Sequence, residues 1–132
     1  MTPELNYLAW TLALALVQIL VAATLRTREV GLPYAASARD FPPPAPPSLL
    51  TGRIIRAQNN ILETLPIFIA VVLIAHLTNR DSDMTRNGAC IYFWARLIYL
   101  PVYALGIRYV RTAVWFVSLV GIVMVMTPLF NG

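Results

Sequence analysis

The sequence has no lysine, a single cysteine and a single histidine, and only 12% of its 132 residues are charged. A water-soluble domain of this size carries roughly 25% charge to cover its surface. With 58% hydrophobic residues and a mean hydropathy of +0.67, the polar skin is missing and lipid must replace it. The same numbers exclude a disordered chain, which is poor in aliphatics and rich in charge. One cysteine, Cys90, excludes an intrachain disulfide and a multi-cysteine metal site. There is no phosphate loop, nucleophile elbow or zinc spacing. All ten basic residues are arginines, giving a net charge of +4. They are scattered along and between apolar stretches and form no solvated basic run, so they argue for membrane topology and against a nucleic-acid partner.

Four apolar stretches are present. Residues 5–25 carry no charge and at 1.5 Å per residue cross a hydrocarbon core of about 30 Å. Glu4 is the only charged side chain before this run, which exceeds the roughly 7–15 apolar residues of a cleaved signal, so it is expected to stay in the mature protein. The second stretch, residues 53–78, has its uncharged core from residue 64. The third, residues 87–107, is interrupted by Arg96 alone, and the fourth covers residues 110–130. Short segments of alternating polarity, the mark of a barrel, are absent. The expected fold is all-α, an integral membrane bundle of four helices in a single domain, 1–132. Between the first two spans, residues 26–52 hold six of the ten prolines, five of them in 42–47, and predict an extended, semi-rigid connector rather than a proline-motif ligand. Arg26, Arg28, Arg39, Arg53, Arg56, Arg108 and Arg111 cluster near the first and third loops, against Arg80 and Arg86 on the second. The positive-inside rule places the first and third loops in the cytoplasm and both termini outside.

Several polar residues sit where lipid does not tolerate them. Arg53, Arg56, Asn60 and Glu63 are spaced three, four and three apart, which puts them within an arc of about 80° on one helix face. A charge at the centre of a membrane helix costs about 2.5–3.5 kcal/mol on insertion scales, so this face must find partners. A structural ion pair between Glu63 and an arginine is the plainest explanation, but it leaves Asn60 unexplained. The third stretch repeats the pattern with Arg96, Tyr99 and Tyr103. Tyrosines near an interface also serve as belt anchors, whereas Arg96 requires an anion or a wet cavity. Arg111, Thr112 and Trp115 open the fourth helix at a similar depth, while Arg108 reads as a positive-inside anchor. Three helices thus aim basic and hydrogen-bonding groups at one level. Arginine forks take carboxylates bidentately, and an amide with a carboxylate holds amide and ammonium groups, so the inventory suits a peptide-like ligand with two carboxylates and an amine. His76, Cys90, Trp10, Trp94, Met84, Met124 and Met126 read as surface, packing or lipid contacts.

The string RIIRAQNNILETLP at residues 53–66 resembles the signature of the MAPEG superfamily, the membrane-associated proteins in eicosanoid and glutathione metabolism. In that family an arginine, a polar residue two later, an asparagine two beyond, a glutamate three further on and then a proline lie on the second helix. Arg56, Gln58, Asn60, Glu63 and Pro66 fill those places. ARLIYLPVY followed by VRTAVW is similar to the family's third-helix tyrosine pair, here Tyr99 and Tyr103, and its fourth-helix entry, here Arg111. The resemblance covers residues 48–130, the first helix matching only in character. It implies a homotrimer with glutathione as co-substrate, bound between subunits near the cytoplasmic side. Arg53, Arg56, Gln58, Asn60, Glu63, Arg96, Tyr99 and Tyr103 would hold the tripeptide, joined by Arg26 or Arg28 of an adjacent subunit. Arg111 would stabilise the thiolate, and Thr112 would offer a hydroxyl. Two departures stand out: Thr64 occupies a place where several members have tyrosine, and Pro101, between the tyrosines, is expected to kink its helix. The activity implied is a microsomal glutathione transferase-like conjugation or peroxide reduction of lipophilic small molecules entering from the bilayer. A non-catalytic member whose polar faces bind lipid or only hold the trimer is the alternative. A transporter fits less well, since the charges cluster at one depth.

Overall fold

The computed structural model describes residues 1–131, which are mostly helical with no strand among them. Helix α1 is Pro3–Val30, α2 the short Leu32–Ala35, α3 Leu49–Leu77, α4 Asp83–Ala104 and α5 Val110–Met126, followed by a 3-10 turn at Thr127–Phe130. Three stretches, Pro3–Val30, Leu49–Leu77 and Val110–Phe130, are long and apolar enough to cross a membrane. The 22 residues of α4 are also long enough, but Asp83, Arg86, Asn87 and Arg96 dilute its hydropathy below theirs. It packs against α1, α3 and α5, which flank it. Trp10, Leu16, Leu20, Ile67, Ile74, Phe116, Val120 and Val123 are exposed, an outer surface suited to acyl chains and not to water.

Local chemistry sets the helix ends. Thr2 Oγ1 accepts the amide of Leu5 at 3.2 Å, with Pro3 in the first turn. Gly31, at φ +85°, ends α1 in a conformation that disfavours side chains. Ser82 and Thr85 form a reciprocal capping box at the start of α4. Two features differ from the sequence reading. Helix α1 continues past residue 25 to Val30, because no proline or glycine intervenes before Gly31, and the non-helical connector shrinks to residues 36–48. That connector is braced from both sides: Arg26 Nη2 donates to the Ala45 carbonyl at 2.7 Å, and Glu29 accepts from Thr51 Oγ1 at 2.7 Å. Secondly, α4 runs unbroken through Pro101 and ends three residues later, so the proline falls in the last turn, where few hydrogen bonds are lost.

The interior is closed most tightly between α4 and α5. A Cβ on Gly88 would lie 2.6 Å from the Gly121 carbonyl oxygen, and one on Gly121 would lie 2.7 Å from that of Gly88. Glycine at both places lets the two backbones touch, as expected where lipid gives helices no hydrophobic drive to associate. Ile61, Phe68, Val72, Ala89 and Val125 fill the adjoining core, and Tyr92 stacks on Phe68 with ring centroids 4.1 Å apart. The Tyr92 and Thr64 hydroxyls share a buried hydrogen bond of 2.7 Å. Thr64 therefore ties α3 to α4 from within the subunit.

Candidate functional site

The cationic residues gather at the end where α4 turns into α5. Two positive-φ residues shape that turn, Gly106 at +69° and Tyr109 at +64°. Such a conformation is strained for tyrosine and easy for glycine. Gly106 also makes room: a Cβ there would stand 2.6 Å from the Arg53 guanidinium. Arg53 Nη1 in turn donates to the carbonyl of Ala104 at 3.3 Å, satisfying an orphan carbonyl at the end of α4.

Two tyrosines organise the remaining arginines. Arg56 Nε donates to the Tyr103 hydroxyl at 3.2 Å, and the Arg111 guanidinium lies over the same ring, 5.1 Å from its centroid. Arg111 Nη1 also donates to the Tyr99 hydroxyl at 3.4 Å. The two tyrosine rings meet edge to face at 5.5 Å. Helices α3, α4 and α5 thereby converge through Arg56, Tyr99, Tyr103 and Arg111.

Around this junction lie two cavities. One, of about 270 Å³, is lined by Arg53, Arg56, Tyr103, Gly106, Ile107, Arg108 and Arg111. The other, also about 270 Å³, is lined by Asn60, Arg111, Thr112 and Trp115. Each falls just below the roughly 300–1,000 Å³ of a small-molecule pocket, and Arg111 lines both. Four guanidiniums and no carboxylate face the first cavity. Among the described residues the ion pairs are Arg26–Glu29, His76–Asp81 and Arg86–Asp83, none of them here. In the second, Asn60 Oδ1 is buried without a hydrogen-bond partner. A cluster of uncompensated cations beside an unpaired acceptor is chemistry for an anion that also carries N–H groups.

Arg53, Arg56, Asn60, Tyr99, Tyr103, Arg111 and Thr112 are thus brought together, and three predicted residues are not. Glu63, midway along α3, is exposed and makes no ion pair among the described residues, which removes an intrasubunit ion pair with an arginine as its explanation. Gln58 lies about half a turn around α3 from Arg53 and Arg56. It lines instead a cavity of about 390 Å³ on the α1 side, with Arg26, Tyr34 and Arg39. Arg96 lines neither arginine cavity, being 1% exposed and stacked behind Tyr99, 4.2 Å from its ring centroid. Conversely, Arg108 is more than an anchor, since it lines the first cavity. Gly106, two residues earlier, was the available signal that the turn had to make room for neighbouring side chains.

Fold and site together define an all-helical membrane protein with an arginine-lined cavity at one end of its helices. The model of the MAPEG family matches residues 7–130, nearly the whole chain, and the protein belongs to that family. No curated protein and no solved structure gives a significant match.

Proposed function

We propose that the protein is a glutathione-dependent transferase or peroxidase of four membrane-spanning helices, assembled as a homotrimer and acting on lipophilic electrophiles from the bilayer. The observation that carries this reading is the cavity with four arginines and no acid, next to the unpartnered Asn60 acceptor. Glutathione has two carboxylates for the guanidiniums and amide or ammonium N–H groups for Asn60. When bound it supplies a thiol. Arg111, lining both cavities, favours the ionised sulfur as its proton leaves to water. Thr112, beside Arg111, has a hydroxyl to donate to the same sulfur.

Two further observations support closure by a second copy. Exposed Glu63 at the middle of an apolar helix would cost about 2.5–3.5 kcal/mol against lipid and needs a polar neighbour. Gln58 and Arg26 share a cavity on the far side of α3, where they would face another subunit's ligand. In this reading the arginine end faces the cytoplasm and both termini lie outside, as the excess of arginines near the first and third loops requires.

A non-catalytic member of the family is the second reading. It is favoured by the two tyrosine hydroxyls, which already accept from Arg56 and Arg111 inside the subunit. Arg111→Ala separates the two. For an enzyme, equilibrium dialysis shows weakened glutathione binding while oligomers in detergent stay intact. For a purely structural network, the oligomers dissociate in detergent and no glutathione is bound by either form.

A further inference from the structure

Arg96 is the largest fully buried side chain of the protein, and two of its nitrogens, Nε and Nη1, have no hydrogen-bond partner. Among the described residues no carboxylate lies within ion-pair distance of it. It stacks on the face of Tyr99, 4.2 Å from guanidinium carbon to ring centroid, and the Tyr92 phenol, one turn earlier on α4, is the other titratable group near it. Replacing a buried charge by an apolar side chain of similar volume is often neutral or stabilising, so stability gives no reason for an unpaired guanidinium here. The other end of the same phenol supplies a reason. The Tyr99 hydroxyl accepts from Arg111 Nη1, and Arg111 lines both cavities. The charged and titratable groups facing Tyr99 are Arg96 on its own helix, its neighbour Tyr103, and Arg111 on α5. Arg56 on α3 reaches the group through Tyr103. None of these carries negative charge in its usual state.

We propose that Arg96 is a positioning residue for Arg111: it clamps the Tyr99 ring that holds the Arg111 guanidinium, and adds an uncancelled positive charge behind the anion cavity. In low-dielectric surroundings that charge acts across the ring with little screening. The role deepens the glutathione reading and in its first test rests on it, while the electrostatic part is open to a probe that does not.

Arg96→Met and Arg96→Lys are compared with the unaltered, purified oligomer. Two quantities are read: the pH midpoint of the bound glutathione thiol, from thiolate absorbance, and the affinity for inorganic sulfate as a charge-only probe. Arg96→Met should keep its melting temperature, raise the thiol midpoint by about one pH unit and weaken sulfate roughly tenfold. Arg96→Lys, which keeps the charge, should recover most of both. A loss of sulfate affinity in Arg96→Met when the unaltered protein forms no thiolate would support the role of Arg96 and defeat the glutathione reading. An unchanged midpoint and unchanged sulfate affinity in a folded Arg96→Met protein would overturn the proposal. So would failure of both variants to fold, which would make Arg96 a purely structural residue.

Discussion

The glycine seam between α4 and α5 and the arginine end of the same two helices obey opposite rules. At Gly88 and Gly121 the backbones touch, and the nearby Thr64 and Tyr92 hydroxyls satisfy each other. At the other end a strained turn holds the helices around open space, four guanidiniums face it without an acid, and an amide oxygen is left unpaired. The first region excludes every guest, and the second leaves open space and unpaired polar groups. Sequences that fold well satisfy packing and polar groups together, so the place where both conditions fail is where function is to be sought.

The contrast can be broken by substitution, in order of expected effect on stability. Gly121→Leu should be the most damaging, because its side chain meets the Gly88 carbonyl and the Tyr92 backbone. A loss of about 3 kcal/mol or more in detergent melting is expected. Gly106→Val combines positive φ with a clash against Arg53, and should cost about 1–3 kcal/mol while also weakening anion binding. Tyr92→Phe removes one buried hydrogen bond and should cost about 1 kcal/mol, leaving glutathione affinity unchanged by equilibrium dialysis. Glu63→Gln should leave the folded subunit as stable as before, since no intrachain contact is lost, and weaken glutathione about tenfold or more. If Glu63→Gln lowered the melting temperature without changing glutathione affinity, the open end would be a structural seam like the closed one.

Much of this was legible in the sequence for identifiable reasons. Apolar runs bounded by charge located the long helices, and the arginine, asparagine, glutamate and proline pattern of α3 carried the family resemblance. The continuation of α1 through Arg26, Arg28 and Glu29 was not visible in hydropathy, because charged residues with good helix propensity end an apolar run without ending a helix. The displacement of Gln58 was readable, since five residues beyond Arg53 is nearly half a turn away. The burial of Arg96 was not. It depends on how α4 is rotated against its neighbours, and no spacing along one helix records that.

The most direct test of the central claim is the ultraviolet absorbance of thiolate when the purified protein is mixed with millimolar glutathione at neutral pH. The arginine cavity predicts a thiolate band that is saturable, and that disappears in Arg111→Ala while the protein stays folded. Folded, unaltered protein that shows no thiolate band would contradict it.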